Sequence, residues 1–483
     1  MESNYEQELN GYINKQKAAV ELTKSVGNLL FEKSVELVLF RNHLVDITLA
    51  EILNLHIYAH EVVERPIDIY TTSSIAKELE NLDLAPSKID LGRLATEWLA
   101  EQNNFSSLAD FLNEKLKDYK STDQETNIQP KDVVLYGFGR IGRLVARELI
   151  KQAGKGQQLR LRAIVTRNTS DAQLIKRTAL LRNDSVHGAF EGTVKLDLDN
   201  KCIIINGQIV KMIEASKPEE IDYTQYGIKN ALLIDNTGVF KDRPSLGRHL
   251  EGKGIAKVLL TAPAKGDIPN IVYGINHGEL DLDQENIYSA ASCTTNAITP
   301  VLKTIEDQFE IVKGHVETIH AYTNDQNLLD NMHKSPRRGR SAAINMVITS
   351  TGAGAAATKV VPSLKDKLTA NAVRVPTPNG SLAIMNLRVN KQVDLDTVNN
   401  ALKKAALEGG LVNQIHYSID EELVSNDIIG NTCPAVFDSK ATLVSSDGKN
   451  IVLYTWYDNE FGYTKQVIRL AKYIAKVGRL LYY

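Results

Sequence analysis

The stretch Val133–Gly142, VVLYGFGRIG, decides the fold class of the chain. Val133–Tyr136 is a short apolar run of the kind that becomes a buried parallel strand. Gly137-Phe138-Gly139-Arg140-Ile141-Gly142 follows at once and fits G-x-G-x-x-G, and a helical pattern, Arg143–Ile150, comes next. In that setting each glycine has a task. Gly137 makes the tight turn, Gly139 lets the backbone approach a pyrophosphate, and Gly142 lets helix pack on strand, while the helix N-terminus attracts the anion. A glycine-rich turn without a ligand is the alternative; the strand–turn–helix context argues for the dinucleotide.

The next strand, Leu161–Val165, runs into Thr166-Arg167-Asn168. A dinucleotide fold usually places an acid there to hold the adenosine ribose. Arg167 cannot accept hydrogen bonds, but it can pair with a 2′-phosphate. The expected cofactor is therefore NAD or NADP, with NADP tolerance resting on Arg167. The alternative is a surface arginine, with Asp171 on the ribose. Further along, the β-branched runs Ile203–Ile205, Leu232–Ile234 and Val258–Leu260 alternate with helical patterns, which predicts α/β units on a largely parallel sheet. Beyond residue 310 the strands lengthen, as in Ile451–Tyr457, and a mixed sheet is expected. Thr464–Val477 reads as an amphipathic helix.

Upstream of the glycine loop the pattern changes. Val20–Leu55 carries Leu22, Val26, Leu29, Leu30, Val35, Leu37, Val38, Leu44 and Val45, mostly at three- and four-residue steps, which predicts one or two amphipathic helices. Asp90–Gln102 and Ser106–Tyr119 predict two more, and Pro66 and Pro86 punctuate the block. Ser121–Pro130 is polar and aperiodic, a linker pattern. The fold class expected is α/β: a Rossmann-type dinucleotide-binding domain and an α+β catalytic domain with a mixed sheet, preceded by an all-helical N-terminal domain. The boundaries drawn are 1–125 for the helical domain, 130–291 for the dinucleotide domain, completed by a C-terminal helix over 464–483, and 292–463 for the catalytic domain. His56 and His60, with Glu61 beside them, stand at metal-ligand spacing, but two histidines without further ligands read as a core or surface pair, so no metal is expected.

The 483 residues carry 56 basic and 59 acidic side chains, a net charge of −3. That balance argues against nucleic acid or a membrane as the main partner. No apolar run is long enough to span a bilayer, and MESNYEQELN lacks a signal-peptide pattern. Cys202, Cys293 and Cys433 lie far apart and form no disulfide framework, which points to a reducing cytoplasm.

One of those thiols sits in a chemical setting. Ala291-Ser292-Cys293-Thr294-Thr295-Asn296 precedes a helical pattern, Ala297–Gln308. A thiol at a helix N-terminus is expected to have a lowered pKa, and its thiolate attacks carbonyls. Backbone N–H groups there can hold an oxyanion. A lone cysteine is more often a buried small hydrophobe, but the polar flanks argue otherwise here. His320, in Thr318-Ile319-His320-Ala321-Tyr322-Thr323-Asn324, is the candidate base; by itself it would read as a core histidine. His187, in Asp184-Ser185-Val186-His187-Gly188, reads as part of a structured turn.

Taken in order, GFGRIGR at 137–143, DSVHG at 184–188, NTGVF at 236–240, ASCTTN at 291–296, HAYTNDQ at 320–326, STGA at 350–353, RVPTPNG at 374–380 and WYDNEFGY at 456–463 make residues 131–480 resemble the phosphorylating glyceraldehyde-3-phosphate dehydrogenases. The resemblance implies Cys293 as nucleophile and His320 as base. It implies Asn459 on the nicotinamide carboxamide with Tyr463 beside it, Arg140 and Ile141 at the pyrophosphate, and Lys217 and Thr261 on the cofactor. One phosphate pocket would use Thr323 and Arg374; the other Ser292, Thr294, Arg338, Thr351 and Gly352. In the run Arg337-Arg338-Gly339-Arg340 the arginine that reaches in is open. The implied partners are a small phosphorylated aldehyde and inorganic phosphate, in a homotetramer. Arg167 and the N-terminal block depart from the family pattern. Two other readings stand beside this one: a dehydrogenase for another phosphorylated aldose such as erythrose 4-phosphate, and a metabolite-sensing regulator on a dehydrogenase fold.

Overall fold

The computed structural model describes residues 4–121 and 128–483. Residues 122–127, the middle of the expected linker, lie outside the described residues. The chain divides into two compact units: Met1–Pro130 with Ala153–Gln158 and Lys476–Tyr483, and Lys131–Gln152 with Leu159–Ala475.

The larger unit holds two eight-stranded sheets. In the first, six strands run parallel in the order Ile287–Ser289, Ile255–Leu260, Ala231–Asp235, Lys131–Tyr136, Leu159–Thr166, Gln208–Glu214, and the hairpin strands Cys202–Ile205 and Val194–Asp197 extend it antiparallel. The strand order reverses at Lys131–Tyr136, which opens a crevice at its carboxyl end, where open α/β sheets bind ligands. Its strands read as apolar runs because both faces are covered: Val133, Val134 and Leu135 are fully buried. Helix Phe461–Ile474 packs against helix Arg140–Lys151, where Lys465 Nζ bonds Glu148 at 2.5 Å.

The second sheet is mixed. Its order is Val347–Thr349, Leu368–Val375, Ile311–Ala321, Ser381–Val389, Asn450–Tyr457, Ala435–Asp438, Ile415–Ser418, with Leu443–Val444 beside Asn450–Tyr457. Ile311–Ala321 pairs parallel with Leu368–Val375 and antiparallel with Ser381–Val389. That register sets His320 beside Arg374 on the adjoining strand.

The smaller unit is mainly helical, with helices Asn4–Asn28, Leu49–Glu61, Ile69–Leu79, Leu91–Glu101 and Leu108–Lys115. The all-helical expectation is corrected in one respect: a four-stranded sheet, Asn42–His43, Glu36–Leu39, Ser87–Asp90, Leu480–Tyr482, runs through it. Val35, Leu37 and Val38 therefore sit in or beside a strand. Four residues buried on both faces have no period that could distinguish them from a helix stripe. Positive φ at Phe40 and Arg41, 41° and 71°, turns the chain into the hairpin. A second correction concerns the C-terminus. The helix stops at Ile474, and Leu480–Tyr482 pairs parallel with Ser87–Asp90 in this smaller unit. His56 is a core residue: its ring nitrogens meet Ile52 O at 2.8 Å and Thr72 Oγ1 at 2.9 Å, so neither is free for a metal. Among the described residues no helix is long and apolar enough to cross a membrane.

Candidate active site

A cleft of about 810 Å³ opens at the carboxyl end of the parallel sheet. Its wall brings together Gly139, Arg140, Ile141, Thr261, Ser292, Cys293, His320, Thr323, Asn459 and Tyr463, from words scattered over the sequence. Cys293 is the first residue of helix Cys293–Phe309, capped by Ser292, whose hydroxyl accepts from Thr295 N. Ala291, just before, has φ 54°, an unusual value for a residue with a Cβ, and this sharp turn sets the thiol at the cleft. Tyr463 locks the turn by donating its hydroxyl to Ala291 O at 3.0 Å.

Cys293 Sγ lies 3.7 Å from His320 Nε2. His320 Nδ1 donates to Ala321 O at 2.7 Å, which fixes the tautomer and leaves the Nε2 lone pair toward the thiol. Burial, and then the charge of Arg374, push the imidazole down to about 4, so it stands neutral at neutral pH. The thiol departs from its expected behaviour. Burial pushes Cys293 up, against the pull of Arg374, so the helix N-terminus does not by itself deliver a thiolate. Proton transfer from Sγ to Nε2 creates the nucleophile when an electrophile arrives.

The structure brings some of the phosphate-binding candidates to this pair and leaves others away from it. Arg374 Nη1 donates to Thr323 Oγ1 and to Ala321 O, both at 3.0 Å. Arg338 Nε donates to Thr349 Oγ1 at 3.1 Å and its Nη1 pairs with Asp325 at 2.5 Å. Arg340 instead faces Asp330 at 2.8 Å, so Arg338 is the arginine of its run whose charge is felt at His320. Thr351 Oγ1 accepts from Ala353 N, and Gly352 caps helix Ala353–Val360; neither lies on the cleft wall. Thr294 is buried, and its hydroxyl is engaged by Tyr457 at 3.0 Å.

The glycine loop fits a dinucleotide. Gly137 has φ +91°. A Cβ on Gly142 would meet Gly137 O at 2.5 Å, whereas one on Gly139 would meet nothing within 4 Å. Helix packing thus forbids a side chain at Gly142, and the space beside Gly139 is left for a ligand. The Arg140 guanidinium is held by Glu460 and Asp184, so what it leaves for an anion at the loop is its backbone N–H. Asn459 Oδ1 accepts from Ser381 Oγ at 3.0 Å, which turns its amide Nδ2 donor free for the cleft. Gly137 and Arg167 line a second pocket of about 290 Å³ beside the loop. Lys217 stands apart from both: it is exposed and pairs with Glu220 at 2.8 Å, while its neighbour Ser216 lines the small pocket. Asp171, the alternative ribose ligand, is exposed and lines neither.

Several residues of the site went unassigned in the sequence. Glu460 ties Arg140 to His187, whose Nε2 lies 3.0 Å away. Asp458 accepts from Asn379, Gly430 N, Glu460 N and Phe461 N and shapes the turn bearing Asn459. Both sit inside WYDNEFGY, where carboxylates in a mostly apolar word were the available signal. Ser381 lies just outside RVPTPNG and had none.

A glycine-loop cleft that meets a thiol–imidazole pair is the site of a nicotinamide-dependent oxidoreductase. Residues 131–243 match the family described as glyceraldehyde 3-phosphate dehydrogenase, NAD binding domain, and residues 292–459 match its C-terminal domain. A glyceraldehyde-3-phosphate dehydrogenase-like protein of Pseudomonas aeruginosa is 47% identical over 455 residues, 94% of this chain and 98% of that protein. Glyceraldehyde-3-phosphate dehydrogenase of Priestia megaterium is 40% identical over 342 residues, 71% of this chain and 97% of its own. Glyceraldehyde-3-phosphate dehydrogenase 1 of Bacillus subtilis is 39% identical over 346 residues, 72% and 98% respectively. The chain belongs to the glyceraldehyde-3-phosphate dehydrogenase family, and its cofactor is NAD or NADP. The first relative covers nearly the whole chain, the other two about as much as the larger unit.

Proposed function

We propose that the chain catalyses the phosphorylating oxidation of glyceraldehyde 3-phosphate to 1,3-bisphosphoglycerate, and the reverse. The observation that carries this is the Cys293–His320 pair at 3.7 Å, with Nδ1 pinned by Ala321 O and with Arg374 and Thr323 beside it. Cys293 Sγ bonds to the aldehyde carbon, and its proton passes to His320 Nε2. The alkoxide left on the carbonyl oxygen takes that proton back from His320 Nε2 and becomes the hydroxyl of a hemithioacetal, so the imidazole is neutral again. NAD or NADP held at the glycine loop and Asn459 would supply the hydride acceptor; His320 takes the hydroxyl proton as the carbon is oxidised, and a thioester remains on Cys293. Inorganic phosphate attacks the thioester carbon, the Cys293 thiolate leaves, and the acyl phosphate departs. Arg374 and Arg338, with the hydroxyls near them, supply charge-assisted donors for the substrate's phosphate and for inorganic phosphate.

The experiment compares steady-state rates on glyceraldehyde 3-phosphate and erythrose 4-phosphate, each with and without inorganic phosphate. The expected result is a phosphate-dependent rate that favours the triose. A faster, phosphate-independent rate on the tetrose assigns the chain to the other aldose. No turnover on either leaves the sensor reading. The proposed assembly is a cytoplasmic homotetramer built on residues 131–480. Its support is the family resemblance of residues 131–480, with the exposed apolar side chains of Leu328, Leu329, Met332, Ile344 and Met346, which a lone subunit leaves in water. A light-scattering mass of one subunit would refute it.

A further inference from the structure

The small pocket beside the glycine loop is chemically unlike the cleft. Arg167, at the end of strand Leu159–Thr166, and Arg177, on helix Asp171–Arg182, both line it. Among the described residues, no carboxylate is on its wall. Glu214, at the end of the next strand, is turned away and accepts from Thr169 N and Oγ1 at 2.8 and 2.9 Å. Other arginines of this sheet's surroundings carry a carboxylate partner, Arg162 with Asp132 at 3.1 Å and Arg248 with Glu219 at 2.9 Å, or bond carbonyls, as Arg147 does with Leu181 O and Gly188 O. Neither Arg167 nor Arg177 has an ion-pair or hydrogen-bond partner among the described residues, and Arg177 Nε is buried and unsatisfied.

We infer that Arg167 and Arg177 together form a 2′-phosphate clamp that makes this enzyme prefer NADP(H) over NAD(H). The inference rests on the dinucleotide reading of the glycine loop and deepens it. The pocket adjoins Gly137 and the end of the second strand, where the adenosine ribose lies in such folds. A ribose 2′-hydroxyl needs an acceptor, and two guanidinium groups provide none. A 2′-phosphate brings nearly two negative charges and three acceptor oxygens, which suit two planar donor forks. Arg177 is half-buried with its Nε shut off from water and unpaired, and Arg167 is exposed at the pocket mouth; an anion between them gives that Nε side of the pocket a partner. Burial, and behind it the charge of Arg143, push the Arg177 guanidinium down from its ordinary value, so an anion there relieves an unfavourable field.

The test is equilibrium binding followed by nucleotide fluorescence and calorimetry on the full chain, with NADPH, NADH, 2′,5′-ADP and 5′-AMP as probes. Wild type is expected to bind NADPH at least about tenfold tighter than NADH, and 2′,5′-ADP tighter than 5′-AMP by a similar factor, the size of one charge-assisted contact. Arg177→Ala should reduce the NADPH-to-NADH affinity ratio about tenfold. Arg167→Asp should reverse it, because the carboxylate accepts from ribose hydroxyls and repels phosphate. Equal affinity of wild type for NADPH and NADH overturns the clamp and leaves the dinucleotide site standing. Failure to bind either coenzyme overturns both. The two fragments on wild type decide the matter even if a variant fails to fold.

Discussion

The buried carboxylates of the smaller unit and the polar groups of the cleft are used differently. In the smaller one the buried carboxylates are fully used. Glu36 meets His43 at 2.6 Å, Arg479 at 2.7 Å and Lys88 at 3.4 Å; burial pushes it up, but these cations outweigh that and hold it well below the ordinary range. Asp90 accepts from Phe40 N, Gly92 N and Arg93 N. In the larger unit the polar groups of the cleft are half-used. His320 has one nitrogen bonded and one facing a thiol, and Asn459 has its oxygen held and its amide free. A closed network fixes a fold, whereas a network with one open valence holds a reactant.

The sharpest break of that contrast is Cys293→Ser. Turnover is expected to vanish while coenzyme fluorescence titration still shows binding, since a serine hydroxyl is a far weaker nucleophile at neutral pH. Near-normal turnover would end the thioester mechanism. His320→Asn comes next, with a loss of about 10²–10⁴ in rate, the usual range for a general base. The imidazole is held near 4, so it is the free base throughout pH 6 to 9, and the thiol is pushed up. Alkylation of Cys293 should therefore climb with pH into the alkaline range, with no step near pH 6.5. A step there would show that His320 titrates normally and is solvated.

In the smaller unit the expected effects are on stability. Removing Lys476–Tyr483 takes away the edge strand Leu480–Tyr482 and one cation from buried Glu36. Removing one partner of a buried ion pair typically costs about 3–5 kcal/mol. The N-terminal unit should melt well below its wild-type temperature, seen as an early transition in calorimetry. Turnover measured below that transition should stay within about twofold, since no cleft residue lies in 476–483. An unchanged melting profile would show that the tail does not complete this sheet in solution.

The limits of the sequence reading follow the same division. Val133–Tyr136, Leu161–Val165 and Ile451–Tyr457 were legible because buried strands of that length are continuous apolar runs or alternate cleanly. The glycine loop, Cys293 and His320 were legible because their chemistry demands particular residues in particular neighbourhoods. Glu36–Leu39 and Ser87–Asp90 were not, since four-residue strands have no period. The pairing of Ser87–Asp90 with Leu480–Tyr482 joins the two ends of the chain, and no local pattern encodes a contact of that separation. The direction of the thiol pKa was misjudged for a related reason. The helix N-terminus is local and visible in sequence, but the burial that opposes it is tertiary.

The finest probe of the closed network is Tyr482→Phe. Tyr482 is buried, and its hydroxyl donates to Glu97 Oε2 at 2.6 Å. Its ring lies under the Arg93 guanidinium, 4.4 Å from the centroid, and edge-on to Tyr119. Phenylalanine keeps the ring and both ring contacts and removes only the hydroxyl. Glu97 retains Arg93 at 2.7 Å and Lys115 at 3.4 Å, so its carboxylate is not left unpaired. The loss should then be that of one hydrogen bond to a charged group whose other partners persist, about 1–2 kcal/mol, or a few degrees in the N-terminal transition. Tyr482→Ala, which also empties the ring's place, should cost about 3–5 kcal/mol. Equal melting of Tyr482→Phe and wild type would mean that Glu97 is satisfied without the tail. The C-terminal tail would then be held by strand pairing and the ring alone.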